Sequence, residues 1–191
     1  MELNDTNNAS SADDERDRAL LARIAEQRDS AAMERLYVLY RQRLVRFLGR
    51  LTNDNELIEE AYNDVMLKVW DKAHQFKGQS KVSSWVFSIA YRTCLRMLKK
   101  RSRFMGLFDL AGDDLPDLPQ VIDQTAQDMR ASLDAGLAKL SPKHRLVVEL
   151  CYQEGCSLEE ISQITDSPLN TVKTRLHHAR NNLRQHVEGA V

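Results

Sequence analysis

Two helix-start signals lie close together in the stretch 157–184, SLEEISQITDSPLNTVKTRLHHARNNLR. Ser157 and Glu160 have the spacing of a capping box, in which the hydroxyl and the carboxylate each accept a backbone N–H of the first turn. A second start follows at Ser167 and Pro168, because serine is a good N-cap and proline suits the first helical position. The polar residues between the two helices leave room only for a tight turn. The stretch therefore predicts a helix-turn-helix.

The second of these helices has one apolar side. Its apolar residues recur every three or four positions, which at about 100° per residue places them in one buried stripe. They are Leu169, Val172, Leu176, Ala179 and Leu183. The opposite side is then exposed, and it holds Thr171, Thr174, His177, His178 and Asn181, with Lys173, Arg175, Arg180 and Arg184 on its flanks.

The exposed side of this helix is free of acidic residues. Neither Asp nor Glu occurs from 167 to 187, although the chain has 28 acidic residues. An ordinary solvated amphipathic helix would show no such bias. Small polar groups and flanking cations suit the base edges and phosphates of duplex DNA, so the pattern indicates a recognition helix.

Composition predicts an all-α protein. The 191 residues include only four prolines and seven glycines, which leaves long uninterrupted helical segments. The net charge of −1 is low for a nucleic-acid-binding chain, so the charge must be partitioned between segments. No apolar run approaches a membrane span and the first residues lack an apolar signal core, so we expect a cytoplasmic protein without membrane insertion.

The three cysteines indicate no metal site. Cys94, Cys151 and Cys156 lack zinc spacing, and structural thiols are the simplest interpretation, with a redox role for Cys151 and Cys156 as the alternative. The sequence also contains no phosphate-binding loop and no nucleophile with a matching base. We therefore expect no catalytic residue, no cofactor and no metal.

The N-terminal part of the chain reads as a disordered tail followed by four helices. Residues 1–12 are polar and aperiodic, which predicts the tail. The helices are expected over 13–27, from about 30 to 51, from about 56 to 75 and from about 82 to 103. In the third helix, Leu57, Ala61, Val65 and Val69 make the inner side, and a mostly acidic outer side includes Glu59, Glu60, Asn63, Asp64 and Lys68.

The fourth helix is basic and carries aromatic residues. From 81 to 103 there are seven Lys or Arg residues and no acidic residue, interleaved with Trp85, Phe87 and Tyr91. Cations beside exposed rings are the components of a site for single-stranded nucleic acid, because bases stack on rings. In the alternative interpretation Trp85 and Phe87 belong to the core, and the basic end is simply solvated.

An acidic linker separates this helix from the helix-turn-helix. Residues 105–128 contain six aspartates and two prolines but no Lys or Arg. We place the domain boundaries accordingly: a tail over 1–12, a first domain over 13–103, the linker over 104–128 and a second domain over 129–189. The predicted architecture is two small helical domains joined by an acidic linker.

This arrangement resembles bacterial sigma factors of the sigma-70 family, in the compact extracytoplasmic-function (ECF) group. The stretch 58–92, IEEAYNDVMLKVWDKAHQFKGQSKVSSWVFSIAYR, is similar to region 2 of that family, and 140–180, LSPKHRLVVELCYQEGCSLEEISQITDSPLNTVKTRLHHAR, is similar to region 4. The resemblance implies a subunit without catalytic activity that gives core RNA polymerase its promoter specificity. Asp166 stands where the family often has glycine.

The resemblance also assigns site residues and partners. Polymerase docking falls on Glu60, Asn63, Asp64 and Lys68. Melting and reading of the minus-10 element fall on Lys77, Ser80, Trp85, Tyr91, Arg92, Arg96, Lys99 and Lys100. Reading of the minus-35 element falls on Thr171, Lys173, Thr174, Arg175, His177, His178 and Arg180. The expected partners are core RNA polymerase, promoter DNA and an inhibitory anti-sigma factor.

Two other readings stay open at this point. An autonomous helix-turn-helix regulator would bind duplex DNA without polymerase, whereas a sigma factor should do so poorly. A helical adaptor that binds acidic proteins through its basic helices would show no promoter selectivity.

Overall fold

The computed structural model describes residues 3–104, 136–137 and 139–188. The chain divides into two compact units, one within residues 1–107 and one within 108–191. Every element in the described ranges is helical, which confirms the all-α prediction. The first unit contains α1 (Leu3–Gln27), α2 (Ser30–Leu48), α3 (Asn55–Lys72), a 3-10 turn (Ala73–Gln75) and α4 (Val82–Phe104), and the second contains α5 (Pro142–Tyr152), α6 (Leu158–Thr165) and α7 (Leu169–Glu188).

The core of the first unit is built from the apolar sides of α1 to α4. Tyr40, Tyr62 and Phe87 are among its largest fully buried side chains. Phe47 meets Phe87 edge-on, with 4.9 Å between the ring centroids, an arrangement that aromatic pairs favour. The predicted inner side of α3 is confirmed, because its four apolar residues are all buried: Leu57, Ala61, Val65 and Val69.

The prediction of a disordered tail over residues 1–12 is wrong for residues 3–12. Helix α1 begins at Leu3 and runs without a break to Gln27. The sequence pattern predicted this helix only over 13–27, because its buried apolar residues, Leu20, Leu21 and Ile24, lie in that part. A helix can extend beyond its packed part because each added residue gains a backbone hydrogen bond after nucleation, and this stretch has no proline or glycine.

A buried carboxylate fixes α1 against α2. Asp17 is only 2% exposed, and the Tyr40 hydroxyl donates to its Oδ2 at 2.5 Å. Arg16 donates to the other oxygen, with Nη2 at 2.9 Å. Burial, together with the negative charge of Asp17, raises the pKa of Tyr40 well above its usual value. The phenol therefore stays protonated and remains a hydrogen-bond donor.

The second unit contains the predicted helix-turn-helix. Both capping-box bonds of α6 are present: Ser157 Oγ accepts from the Glu160 amide at 3.1 Å, and Glu160 Oε2 accepts from the Ser157 amide at 2.9 Å. The turn passes through Asp166 at φ 52°, the left-handed conformation in which aspartate is tolerated better than most residues. The glycine common at this position is therefore not required.

The start of α7 differs from the prediction by one residue. The carbonyl of Pro168 accepts the Val172 amide at 3.1 Å, and the helix begins at Leu169. Ser167 is not the expected cap: its Oγ accepts from Arg175 Nη1 at 3.1 Å and donates to the carbonyl of Thr165 at 3.3 Å, instead of accepting an amide of the first turn. Of the predicted apolar stripe, Val172, Leu176 and Ala179 are buried, whereas Leu169 and Leu183 are half-buried.

The acidic linker predicted over 104–128 lies outside the described residues, except for its first residue. Phe104 is the last residue of α4.

Candidate nucleic-acid interface

The 76–81 loop, which joins the 3-10 turn to α4, is held by two side chains of α1. Arg18 Nη2 donates to the carbonyl of Ser80 at 2.7 Å, and Arg18 Nη1 lies 3.5 Å from the carbonyl of Gly78. The same guanidinium lies 5.5 Å from the ring centroid of Phe76. Asp14 Oδ1 accepts the backbone N–H of Val82, the first residue of α4, at 2.8 Å. Sequence patterns carry no signal for these contacts, because the contacts join residues more than 55 positions apart.

The candidate residues for reading the minus-10 element differ in whether their side chains are exposed enough to contact DNA. Lys77 is exposed and Ser80 is half-buried. Trp85 is also half-buried, and its ring packs against Phe76 with 5.5 Å between centroids. Tyr91 is 5% exposed and belongs to the core, so the expectation that it stacks on a base is wrong.

The basic end of α4 faces the acidic side of α3 across an open groove of about 1190 Å³. Residues proposed for polymerase docking and residues proposed for DNA reading thus share one surface, although the sequence placed them on separate helices. Leu57, Leu95 and Met97 contribute apolar lining. The charged lining residues are Glu60 and Asp64 from α3 and Arg92, Arg96, Lys99, Lys100 and Arg101 from α4.

The polymerase-docking candidates on α3 differ in how free their side chains are. Glu60 is exposed, whereas Asn63 accepts a hydrogen bond from the Tyr37 hydroxyl at 3.0 Å. Lys68 donates to Thr93 Oγ1 at 2.9 Å and lies 3.8 Å from Asp64. Partial burial lowers the pKa of Lys68. Lys68 is therefore held toward α4 rather than extended into solvent.

Sequence reasoning missed a leucine on this side of α3. Leu67 is 59% exposed, although it is apolar and lies next to the docking candidate Lys68. A single exposed leucine is common on protein surfaces, but apolar residues within a polar surface often supply the buried centre of an interface. The exposure of Leu67 could have been predicted from the sequence, because Leu67 falls outside the apolar stripe formed by Leu57, Ala61, Val65 and Val69.

The exposed surface of α7 is narrower than predicted. Lys173, Thr174, His177 and His178 are exposed, and Asn181 Nδ2 lies 3.1 Å from His177 Nε2. The Thr174 hydroxyl donates to the carbonyl four residues earlier in the helix, at 2.9 Å, which leaves its methyl group and a lone pair facing outward.

The other three candidates on α7 lie at the edges of this surface. Thr171 is half-buried, and so is Arg175, whose Nη1 donates to Ser167 Oγ at 3.1 Å. Arg180 is exposed, but its Nε donates to the Tyr152 hydroxyl at 2.6 Å and its guanidinium lies 5.4 Å from the Tyr152 ring centroid. Arg180 therefore points toward α5. It does not join the four exposed residues Lys173, Thr174, His177 and His178, which we call the crown of α7.

Three histidines cluster beside the exposed surface of α7. The ring of His144 on α5 lies 6.1 Å from that of His178, and His178 lies 5.9 Å from His177. Partial burial lowers the pKa of His144, and electrostatic interaction with the neighbouring His178 and Arg175 lowers it further. His144 is thus biased toward its neutral form.

The thiols have the properties of structural residues. Burial raises the pKa of Cys94 to about 12 and also raises the pKa of Cys151, which disfavours the reactive thiolate. Cys156 is buried. Within the described ranges, no three His, Cys, Asp or Glu side chains are grouped to hold a metal ion. The same ranges contain no helix with the length and apolar content to cross a bilayer.

Comparison with protein families gives two matches. The family model for sigma-70 region 2 matches residues 36–104. A second model, for sigma-70 region 4, matches residues 130–183. The first match contains α3, the 76–81 loop and α4, and the second contains α5, α6 and most of α7. Asp14 and Arg18, the two residues of α1 that hold the 76–81 loop, lie outside both matches.

Individual proteins are similar over most of their length. The chain is 32% identical over 172 residues to the ECF RNA polymerase sigma factor RpoE of Cereibacter sphaeroides, covering 88% of this chain and 93% of the relative. It is 29% identical over 163 residues to the ECF RNA polymerase sigma factor SigX of Bacillus subtilis, covering 80% and 82%.

Two solved structures have a similar fold. The first is the sigma factor RpoE of Bartonella quintana in complex with the anti-sigma factor NepR, with a TM-score of 0.60, 22% identity and coverage of 81% of this chain and 96% of that chain. The second is CnrH in complex with the cytosolic domain of CnrY, with a TM-score of 0.60, 18% identity and coverage of 92% and 99%.

Proposed function

Because the chain belongs to the ECF group of the sigma-70 family, we propose that it binds core RNA polymerase and directs initiation at promoters with minus-35 and minus-10 elements. The role is that of a transcription initiation factor, and it requires no catalytic residue, cofactor or metal from this chain. The observation that carries the proposal is the crown of α7, where Lys173, Thr174, His177 and His178 are exposed within 167–187, a stretch that contains no Asp or Glu.

The crown of α7 reads the minus-35 element in this proposal. Lys173 supplies a cation. The side chains of Thr174, His177 and His178 supply hydrogen-bond donors and acceptors and a methyl group, which can contact base edges in the major groove. Thr171, Arg175 and Arg180 border this surface and have a supporting role. Arg180 Nε donates to the Tyr152 hydroxyl at 2.6 Å, which leaves the Nη1 and Nη2 groups as its donors to a phosphate.

The 76–81 loop and α4 melt and read the minus-10 element. Trp85 is half-buried and offers part of its ring to an unstacked base, while cations of α4 follow the backbone of the separated strand. The residues proposed for this site are Lys77, Ser80, Trp85, Arg92, Arg96, Lys99 and Lys100.

The outer side of α3 docks on core polymerase. Glu60 and Asn63 are exposed, and Asp64 and Lys68 complete the polar part of the surface. Leu67, with 59% of its surface exposed, gives this surface an apolar centre. We assign the domain that ends with α4 at Phe104 to region 2 and the domain over 129–189 to region 4, with an acidic linker over 105–128.

Control by an anti-sigma protein is part of the proposal. The sigma factor RpoE of Bartonella quintana, which has a similar fold, was solved in complex with the anti-sigma factor NepR. An inhibitor that covers the groove between α3 and α4 would block docking and DNA reading together, because both sets of residues line it. The factor acts in the cytoplasm, where bacterial polymerase and promoter DNA are located.

Run-off transcription with purified core polymerase and a library of genomic fragments tests the function. We expect initiation at a small set of fragments that share an upstream and a downstream element, and no initiation by core alone. The rival, an autonomous helix-turn-helix regulator, predicts tight and selective duplex binding by the free chain. Equal duplex affinity with and without core polymerase would favour that rival.

A variant pair separates DNA reading from polymerase docking. Lys173→Ala combined with Thr174→Ala should remove selectivity for the upstream element and leave association with core polymerase unchanged. Lys139→Ala is the matched control, because it removes an exposed cation from the same unit outside α7. Loss of both selectivity and association in the double variant would contradict the assignment.

A further inference from the structure

Asp14 and Arg18 of α1 hold the second half of the 76–81 loop and the start of α4. Arg18 contacts the carbonyl of Ser80 at 2.7 Å and that of Gly78 at 3.5 Å. Arg18 Nε is itself fixed by Asp14 Oδ2 at 2.7 Å, and Asp14 Oδ1 accepts the Val82 amide at 2.8 Å. One turn of α1 thus connects the loop to the first turn of α4.

The loop needs such an external anchor for physical reasons. The first amides of α4 have no partner within that helix, and a carboxylate at this end also interacts favourably with the helix dipole. Asp14 supplies that carboxylate from another helix. Gly78 and Ser80, whose carbonyls Arg18 contacts, lie outside any helix, and Gly78 has φ 71°, a conformation that residues other than glycine rarely adopt.

The anchor lies on a part of α1 that is itself fixed. Asp17, between the two anchor residues, is buried and bound to the Tyr40 hydroxyl. Asp14 and Arg18 are therefore held in register with the core of the first unit. Their contacts reach backbone atoms of the loop, while the side chains of Lys77 and Gln79 remain exposed. The contacts fix the path of the loop without occupying the side chains that face outward.

We propose that Asp14 and Arg18 are positioning residues that pre-organise the 76–81 loop for reading the minus-10 element. This inference rests on the proposed function, in which that loop contacts the melted strand. A loop already in its binding conformation loses less conformational freedom when DNA binds. The ion pair itself adds little to stability, because the Arg18 and Asp14 side chains are 39% and 18% exposed. The main effect of losing it falls on DNA reading.

Full-length Arg18→Ala and Asp14→Asn, assembled with core polymerase, test the inference. The readout is open-complex formation on a set of promoters with single-base changes across the minus-10 element. We expect the preference for the best sequence to fall by roughly tenfold, the size of one lost charge-assisted hydrogen bond. Arg18→Lys, which keeps the charge but cannot span both carbonyls, should have an intermediate preference.

Two further variants separate positioning from folding. Arg23→Ala is the control, because Arg23 forms an exposed ion pair with Asp29 at 2.6 Å and does not contact the loop. It should leave the minus-10 preference unchanged. Gly78→Ala attacks the same contact from the loop, since the added Cβ would lie 3.3 Å from Arg18 Nη1 at a positive φ. It should reduce the preference while α1 stays intact.

The outcomes distinguish this inference from the proposed function. If the wild-type factor initiates selectively and Arg18→Ala keeps the full minus-10 preference, the positioning role is wrong. If Arg18→Ala also loses core association and unfolds at much lower urea, its role is structural and the inference is again wrong. If the wild-type factor supports no promoter-specific initiation, the proposed function fails and the inference fails with it.

Discussion

Removal of one hydroxyl, in Tyr40→Phe, tests whether the buried carboxylate fixes α1 to the first unit. Tyr40 is fully buried, and its hydroxyl donates to Asp17 Oδ2 at 2.5 Å. Phenylalanine has nearly the same shape, so the change opens no large cavity. It leaves Asp17, which is 2% exposed, with the contacts from Arg16 to its other oxygen.

The cost follows from the charge and the burial of the acceptor. A hydrogen bond to a charged group contributes about 1.5–3 kcal/mol, and a buried group that loses its partner cannot recover it from water. We therefore expect Tyr40→Phe to lower the free energy of unfolding of the first unit by about 2 kcal/mol. With a urea slope of about 2 kcal/mol per M, the midpoint should fall by roughly 1 M.

Tryptophan fluorescence during urea unfolding measures this change in the full-length chain. The chain has two tryptophans, Trp70 and Trp85, and both lie in the first unit. Their signal therefore reports that unit selectively. Tyr37→Phe is the matched control, because it removes a hydroxyl from the same helix whose bond to Asn63, at 3.0 Å, is exposed. Water can replace that bond, and the cost should be at most about 0.5 kcal/mol.

The two variants together decide the point. If Tyr40→Phe shifts the midpoint no further than Tyr37→Phe does, the carboxylate is not dependent on the phenol and the reasoning is refuted. A change in the urea slope instead of the midpoint would indicate an altered denatured state rather than a lost contact.

Three further predictions concern the stability of the second unit. Its unfolding is measured by circular dichroism, because both tryptophans lie in the first unit. The pKa of His144 is lowered in the folded state, so the unfolded chain binds more protons: the stabilising contribution is present above about pH 6.5 and is lost as the pH falls below it, and His144→Gln should show a smaller loss between about pH 7 and about pH 5.5. Asp166→Val should destabilise this unit by about 1–2 kcal/mol because Asp166 has φ 52°, whereas Asp166→Gly should not. Ser157→Ala removes one half of the capping box and should cost about 1 kcal/mol, with no change in the tryptophan transition.

Local signals in the sequence predicted most of the helices because each signal acts within one turn. The capping box at Ser157 and the buried stripe of α7 needed no knowledge of distant residues. The positive φ at Asp166 also follows from a local need, the sharp reversal between two packed helices. The length of α1 was missed because an exposed helical extension has no apolar period to detect.

The burial of Tyr91, which we had wrongly assigned to DNA reading, could also have been predicted from hydrophobic periodicity. Val86, Phe87, Ala90, Tyr91 and Cys94 follow the spacing of a single buried side of α4, and all five are buried. Tyr91 was assigned to DNA reading because it is aromatic and lies among cations. That assignment used residue type and ignored the position of Tyr91 around the helix. The period was the stronger signal, because burial depends on position around the helix rather than on residue type. Trp85 lies off this side and keeps part of its ring exposed.

The contacts that organise the loop and the crown could not be read from sequence. Arg18 meets Ser80 across 62 positions, and Arg180 meets Tyr152 across 28. An arginine has the same composition signal whether it points at a phosphate or at a neighbouring tyrosine. Its direction depends on which helix packs beside it, and that is decided by the tertiary fold.

The groove between α3 and α4 explains how a chain with net charge −1 can bind DNA. The net charge of the whole chain differs from the local charge: Glu60 and Asp64 on the α3 wall face the cations of the α4 wall, from Arg92 to Arg101, so the lining of the groove is net positive. A phosphate responds mainly to charges within a Debye length of about 8 Å at physiological salt, so it experiences the nearer wall more than the total. The acidic wall also competes with DNA for the cations across the groove. A partner that covers Glu60 and Asp64 removes that competition, which gives a physical reason for DNA binding by the first unit to depend on docking.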